Sequence, residues 1–101
     1  MIDIPVDFTR YPAGRYRSDG KFSGERFRDD LLVPALRAAK FVQLKLDGTA
    51  GYGSSFLEEV FGGLVRSGEF SADQLLEAIK LESKDSSLID EIHEYITASY
   101  H

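Results

Sequence analysis

The feature that most constrains the fold is a strand, a glycine-rich turn and a helix that follow one another over residues 41–64. Apolar and polar residues alternate over 41–47, which is the period of a half-buried β-strand. Apolar residues then recur at helical spacing from Phe56 to Leu64. The segment therefore predicts a unit in which a strand leads through a tight turn into a helix.

The segments before this unit predict one more strand and one more helix. Residues 2–8 alternate and predict a strand, which Pro5 places at a sheet edge because proline cannot donate to a ladder. Ser23 is a predicted N-cap for a helix of which the apolar positions recur at intervals of four. Pro34 is expected to kink that helix or to begin a second piece.

The carboxyl-terminal half continues the alternation. A capping-box pattern at Ser71 predicts a short helix. Residues 79–82 predict a third strand, although the apolar residues before them also allow the helix to extend through them. Ser86 and Ser87 are the predicted cap of a last helix. The order of strand, helix, strand, helix, strand and helix predicts an α/β domain with a small sheet covered by helices.

Length and composition favour one globular domain over residues 1–101. Hydrophobic residues make up 43% of the chain, which is ordinary for a folded protein. The absence of cysteine excludes disulfides, thiolate metal sites and a cysteine nucleophile. The first residues do not resemble a signal peptide, and no apolar stretch is long enough to span a membrane. A cytoplasmic protein of bacterial type is therefore expected.

Charge is unevenly distributed along the chain. The net charge is −5 and the isoelectric point is about 4.9, which argues against nucleic-acid binding. Basic residues nevertheless concentrate in residues 10–28, and acidic residues concentrate in residues 67–101. This asymmetry predicts a basic face and an acidic face, both of which are also compatible with ordinary solvated surface.

The helix start at Ser54 and Ser55 is the best candidate for a functional site. Backbone N–H groups and the positive end of the helix dipole meet there and favour an anion or a phosphorylated side chain. A simpler alternative is that Ser55 is only an N-cap, in a capping box with Glu58. The glycines of the turn do not have the spacing of a nucleotide-binding motif, although Gly51 and Gly53 remain candidates for contact with a partner or an anion.

Catalytic constellations are scarce in this sequence. Its histidines are His93, beside acidic residues of the last helix, and His101, the final residue. Nothing in the sequence brings Ser55 and His93 together as a nucleophile and its base. Helix-terminus electrostatics explain Glu58 and Glu59 without acid–base chemistry. No enzyme activity, metal or cofactor is therefore expected.

Residues 14–19, which we call the basic loop, allow two interpretations of their arginines. Arg15 and Arg17 alternate, so in an extended stretch both side chains point the same way. Guanidinium groups pair bidentately with carboxylates and phosphates. The arginines therefore either fasten the loop to acids of the chain itself, such as Asp19 or Asp47, or reach the Ser54–Ser55 turn and complete an anion site there.

Three runs of residues resemble an uncharacterised bacterial STAS-like family. The resemblance spans nearly the whole chain, and a more distant likeness is to STAS domains that act as anti-sigma-factor antagonists. The glycine-serine-serine-phenylalanine run with the later phenylalanine-glycine-glycine is the most specific part. The runs are Gly14-Arg15-Tyr16-Arg17-Ser18-Asp19-Gly20, Ser23-Gly24-Glu25-Arg26-Phe27-Arg28 and Gly51-Tyr52-Gly53-Ser54-Ser55-Phe56-Leu57-Glu58-Glu59-Val60-Phe61-Gly62-Gly63-Leu64.

The resemblance implies a fold and a mode of action. The fold is a small mixed sheet with helices packed mainly on one side. In the antagonists, the second serine of an aspartate-serine-serine-glycine motif accepts phosphate from a serine kinase with a histidine-kinase-like ATPase fold. By position Ser55 corresponds to that serine, and Ser54 is the next candidate. Here Gly53 replaces the aspartate and Phe56 replaces the glycine.

We therefore expect a non-enzymatic regulatory domain that binds a protein partner and is switched by phosphorylation at the Ser54–Ser55 helix start. One alternative is a constitutive interaction subunit of a larger regulatory or defence complex. Another is a small nucleotide- or anion-binding domain. Neither nucleic acid nor a membrane is an expected partner, and the sequence does not specify an oligomeric state.

Overall fold

A computed structural model of the protein describes residues 1–98. Its sheet has three strands in the order β1-β2-β3, and both neighbouring pairs are parallel. Helical segments connect each strand to the next and return the chain to the same edge of the sheet, which makes parallel pairing possible. The strands are β1 (Ile2–Asp3), β2 (Val42–Lys45) and β3 (Ile79–Glu82).

Four helices accompany the sheet in the described residues, and two of them pass through a π-helical turn. A π-helical turn and a 3₁₀ turn also occur in the amino-terminal segment, at Ile4–Phe8 and Arg17–Asp19. The helices are α1, residues 24–38 (Gly24–Phe27, π turn Arg28–Leu32, Val33–Ala38); α2, residues 54–66 (Ser54–Leu57, π turn Glu58–Gly62, Gly63–Arg66); α3, Ala72–Ala78; and α4, Ser86–Ala98.

The hydrophobic core lies on one face of the sheet. In the central strand β2, Val42 and Leu44 are buried, whereas Gln43 between them is exposed. The buried side chains join residues from all the helices in one cluster. The α/β class and the packing of helices over one face of the sheet are thus as predicted. The pairing differs in one respect, since the described strands are all parallel whereas a mixed sheet was expected.

The first predicted strand is much shorter than residues 2–8. Only Ile2–Asp3 pairs with β2, and a π-helical turn follows with Pro5 in its first positions. Because proline has no N–H and a fixed φ, it suits the start of a helical turn better than a ladder. The carboxylate of Asp7 accepts a hydrogen bond from the N–H of Asp3 (2.7 Å) and closes this turn.

The third predicted strand is confirmed, and the helix before it does not extend through it. α3 ends at Ala78 and β3 begins at Ile79. Ser71 caps α3 as predicted, because its hydroxyl accepts from the N–H of Gln74 (3.1 Å) while the Gln74 side chain accepts from the N–H of Ser71 (2.8 Å).

α1 begins as predicted, and a second α-helical piece, Val33–Ala38, begins at its proline after a π turn, as one of the two expected outcomes. The hydroxyl of Ser23 accepts a hydrogen bond from the N–H of Arg26 (3.2 Å) and caps the helix. The N–H of Val33 then bonds to the carbonyl of Arg28, five residues back. This change of hydrogen-bond register comes just before Pro34, where proline would otherwise clash with the preceding turn.

α1 and α2 approach each other very closely at Gly24. A Cβ atom at this position would lie 2.6 Å from the carbonyl oxygen of Phe56 in the first turn of α2. Only glycine fits such a separation, so this residue sets how α1 crosses the start of α2. Phe56 itself is buried, with its ring 6.1 Å from that of Phe27. The start of α2 is therefore anchored in the core.

Candidate functional site

The loop between β2 and α2 is held in a defined shape. Gly48 and Gly51 have φ values of 106° and 140°, which side chains rarely adopt. The hydroxyl of Tyr52 donates to the carbonyl of Leu46 (2.5 Å), and the N–H of Ala50 donates to the carbonyl of Arg10 (2.8 Å). Burial raises the pKa of Tyr52 to about 12, so this phenol remains a donor at neutral pH.

Ser54 and Ser55 lie exposed in the first turn of α2. The helix begins at Ser54 with Gly53 as its N-cap, and no side-chain hydrogen bond from the described residues caps it. The capping box predicted for Ser55 and Glu58 is therefore wrong. The Glu58 carboxylate turns instead to two arginines, which leaves both serine hydroxyls open to solvent.

The two glycines that precede the serines, Gly51 and Gly53, also face open space. A Cβ atom at Gly51 or at Gly53 would meet no other atom within 4 Å. Together with Ser54 and Ser55 they form an accessible strip across the helix start, which we call the serine turn. Its position follows the carboxyl end of β2, the edge at which parallel sheets of α/β proteins usually bind their ligands.

Arg15 connects the basic loop to α2, one turn after the serines. Its Nη1 atom lies 2.5 Å from Oε1 of Glu58 and 3.2 Å from Oε1 of Glu59. The Glu59 side chain is only 9% exposed. Its other oxygen receives Nη1 of Arg28 at 2.5 Å, and the same Arg28 atom donates to the Glu59 carbonyl (3.0 Å). A nearly buried carboxylate is thus hydrogen-bonded by two guanidinium groups, and Nη2 of Arg66 lies 3.8 Å from its Oε1 atom.

Gly63 provides the space that this arrangement needs. A Cβ atom there would overlap the guanidinium of Arg28. The pair Gly62–Gly63, which is unusual within a helix, does not end α2, since the helix continues to Arg66. Arg66 closes the network by pairing with Glu58, and the hydrogen bonds from Arg66 and Arg15 lower the pKa of Glu58 to about 2.

Arg17 takes a different direction from Arg15. Its guanidinium forms two hydrogen bonds with the carboxylate of Asp30 in α1, at 2.7 and 3.3 Å. Both arginines therefore pair with acids of the chain itself, although with Glu58, Glu59 and Asp30 rather than Asp19 or Asp47. The structure brings Arg15 to α2 and does not bring Arg17 with it.

An open cavity of about 310 Å³ lies beside the loop, and its lining includes Asp47, Tyr52 and Asp85. Asp47 accepts hydrogen bonds from the Ser83 hydroxyl (2.6 Å) and the Lys84 N–H (2.8 Å). Asp85 accepts from the Ser87 hydroxyl (2.6 Å) and from backbone N–H groups at the start of α4. These bonds hold the pKa of both carboxyls below its ordinary value. Asp47 and Asp85 are therefore used as hydrogen-bond acceptors for a turn and for a helix cap.

The remaining candidates are not assembled into a site. His93 is exposed on α4 and forms no hydrogen bond with Ser55 among the described residues, and His101 lies outside them. Within residues 1–98 no group of three acidic or histidine side chains is placed to hold a metal ion. None of the helices in that range is long and apolar enough to cross a membrane.

The network around Glu59 was not predicted from the sequence. The signal was present as a basic segment and as a Glu58–Glu59 pair, but the residues that pair are 31 to 44 positions apart in the sequence. Helix-terminus electrostatics were an adequate local explanation for the acidic pair. Only the close crossing of α1 and α2 brings the two sets of charges together.

A small sheet with helices over one face, and a strand that leads through a turn to an exposed pair of serines, define an α/β domain of the STAS-like kind. The chain belongs to the family described as the STAS-like domain of unknown function (DUF4325), whose model matches residues 23–87. That range runs from the cap of α1 to the start of α4 and contains the serine turn. No curated protein and no solved structure matches the chain.

Proposed function

We propose that this STAS-like domain is a cytoplasmic, non-catalytic regulator that binds a partner protein across the serine turn. Phosphorylation of Ser55, or of Ser54, switches that binding. The kinase is a serine kinase with a histidine-kinase-like ATPase fold. The observation that carries the proposal is the position of the two exposed hydroxyls, at the first turn of a helix anchored in the core.

A phosphate on this turn would change its electrostatics strongly. It adds about −1.5 to −2 charges at neutral pH. The first turn of α2 offsets part of this charge through its free N–H groups and dipole. Glu58 and Glu59, one turn further along, already have guanidinium partners. The main effect therefore falls on a partner surface laid over the turn, through repulsion and desolvation.

The rigidity of the turn also favours this proposal. Its backbone is fastened at Leu46 and Arg10, and Phe56 is buried directly after the serines. The turn presents its hydroxyls in a fixed geometry, so little conformational freedom is lost when a partner binds. Phe56 replaces the glycine of the antagonist motif because this chain uses that position for its core.

A phosphorylation assay tests the switch directly. The protein is mixed with a kinase of the proposed fold from the same organism and ATP, and the modified residue is mapped by mass spectrometry. Phosphate on Ser55 or Ser54 is expected, with loss of the signal in Ser55→Ala or Ser54→Ala. Ser18→Ala, at an exposed serine elsewhere, is the matched control. Phosphate confined to other residues would refute the switch.

Binding measurements separate the switch from a constitutive interaction. A switch predicts that phosphorylated protein binds its partner at least about tenfold more weakly, equivalent to about 1.4 kcal/mol. A constitutive subunit predicts that Ser55→Asp leaves the affinity within about threefold. Pull-down or calorimetry with the wild type, the phosphoprotein and Ser55→Asp measures the difference.

A further inference from the structure

An apolar groove lies at the amino-terminal ends of β2 and β3, where α1 ends and α3 leads into β3. It has a volume of about 410 Å³ and is lined mainly by apolar residues. Leu75 is fully buried, whereas Leu36 and Phe70 are only partly buried. A side chain placed here would bury apolar surface that the domain alone leaves accessible to water. The apolar lining residues are Leu36, Ala39, Phe41, Phe70, Leu75 and Ala78.

Two lysines flank the aromatic residue of this groove. Phe41 is 50% exposed, which is high for a phenylalanine. The ammonium of Lys80 lies 5.2 Å and that of Lys40 5.7 Å from the centre of its ring. Both lysines are exposed, and neither has a carboxylate partner among the described residues. The charged lining residues are Lys40 and Glu77, which offset each other, and Lys80 over the Phe41 ring adds one positive charge beside the groove.

We propose that this groove binds an acidic, amphipathic segment of a partner protein. One large apolar side chain of the segment fills the groove against Phe41 and Leu75. Neighbouring Asp or Glu residues of the segment pair with Lys40 and Lys80. Apolar burial provides the affinity, and the two uncompensated lysines select acidic partners.

The charge of the rest of the molecule makes this selection unusual. The chain has a net charge of −5, which favours basic partners elsewhere on its surface. At the groove the sign is reversed, whereas Arg15, Arg17 and Arg28 are paired with carboxylates and attract an acidic segment less. An acidic segment therefore gains at this groove an attraction that it lacks over most of the domain.

The groove is separate from the serine turn. Phe41 precedes β2 and Ala78 precedes β3, while the serine turn follows the carboxyl end of β2. Because the strands are parallel, one surface lies at the amino-terminal ends of the strands and the other at their carboxyl ends. The groove thus provides a second contact surface, which does not depend on the proposed phosphorylation.

The test uses a library of short random peptides displayed on phage. Peptides are selected on the wild-type protein after depletion on a Lys40→Glu/Lys80→Glu variant. We expect enriched sequences with a large apolar residue next to Asp or Glu. A synthetic enriched peptide should bind the wild type with a dissociation constant on the order of micromolar, as measured by fluorescence anisotropy. Its amide version, with Asn and Gln in place of the acids, should bind at least about tenfold more weakly.

Variants of the groove and a matched control complete the test. Phe41→Ala and Lys40→Glu/Lys80→Glu should each weaken binding about tenfold or more. Lys21→Glu is the control, because Lys21 also lies over an aromatic ring, that of Phe22, at 5.6 Å. It should leave binding within about twofold. All these side chains are exposed except Phe22, so the variants are expected to fold, and thermal melting checks this.

Four results would overturn the proposal. They are failure to enrich any peptide, enrichment of sequences without acids, equal binding to the charge-reversed variant, and concentration-dependent dimerisation that Phe41→Ala abolishes. The last result would show that a second copy of the chain covers the groove. Loss of kinase phosphorylation at Ser55 has no bearing on any of these measurements, so the two proposals fail separately.

Discussion

Glu59 is the residue that most clearly connects the sequence motif to the fold. Its carboxylate is almost fully buried between Arg15 and Arg28. A buried acid without partners is costly, and here each of its oxygens has a guanidinium partner. The motif residues Glu59 and Gly63 therefore have a joint structural role, since the glycine admits the Arg28 side chain that the glutamate requires.

Replacing Arg15 is expected to destabilise the domain. Arg15→Ala removes hydrogen bonds to two carboxylates, one of them nearly buried, and should cost on the order of 1 kcal/mol. In a domain of this size that lowers the melting temperature by roughly 4–8 °C. Arg17→Ala is the matched control, because that pair is about half exposed on both sides and should cost about 2 °C or less. Thermal melting by circular dichroism measures both.

Equal melting temperatures for the two variants would contradict this role for Arg15. If Arg15→Ala instead melted like the wild type and lost affinity for phosphate or for a partner, the anion-site reading of the basic loop would be favoured. The comparison therefore separates the two readings that the sequence leaves open.

At the scale of elements, local patterns predicted most of the chain, and long-range contacts account for the errors. Alternation located β2 and β3, and capping patterns located the starts of α1 and α3. The predicted N-cap of α2, Ser55, lies two residues after the observed N-cap, Gly53, and the Glu58 carboxylate expected to complete the capping box is bound by Arg15 instead. A residue 43 positions away in the sequence decided this, and no local pattern contains that information.

The candidate site was predictable in location more than in detail. The glycines and serines of the sequence predicted a turn between β2 and α2, and the structure has the serine turn at that position. The close contact of Gly24 with α2 depends on how α1 and α2 cross. The sequence of either helix alone does not predict that crossing. The same applies to the groove at Phe41, which exists only where α1, α3 and the sheet meet.

The crossing of α1 and α2 gives a prediction for glycine replacement. Gly24→Ala places a Cβ atom 2.6 Å from the carbonyl oxygen of Phe56, a backbone atom that cannot move aside cheaply. The helices must separate, which should cost about 1–3 kcal/mol. Gly20→Ala is the control, since its Cβ would meet no atom within 4 Å and its φ of 162° is extended backbone. Urea unfolding measures both free energies, and equal values would contradict the close crossing.

At the scale of the whole molecule, the amino-terminal segment is part of the same fold as the family-matched region. The match covers residues 23–87, yet Ile2 and Ile4 are buried in the common core. The ring of Phe8 lies 5.1 Å from that of Phe27 and 6.3 Å from that of Phe56. The edge strand β1 and this aromatic cluster complete the core around the start of α2.

Removal of residues 1–22 is therefore expected to abolish cooperative folding. The truncation removes two buried isoleucines, Phe8 and the Arg15 ion pairs. Replacing a single buried isoleucine with alanine costs about 2–5 kcal/mol, and a small domain has only about 5–15 kcal/mol in total. Circular dichroism should show no sigmoidal thermal transition for the truncated chain, and a dye for exposed apolar surface should bind it.

Ile4→Ala, at a position 1% exposed, should lose part of the stability, whereas Val6→Ala, at 78% exposure, should resemble the wild type. A sharp transition in the truncated chain at the wild-type temperature would mean that residues 23–98 fold without the amino-terminal segment.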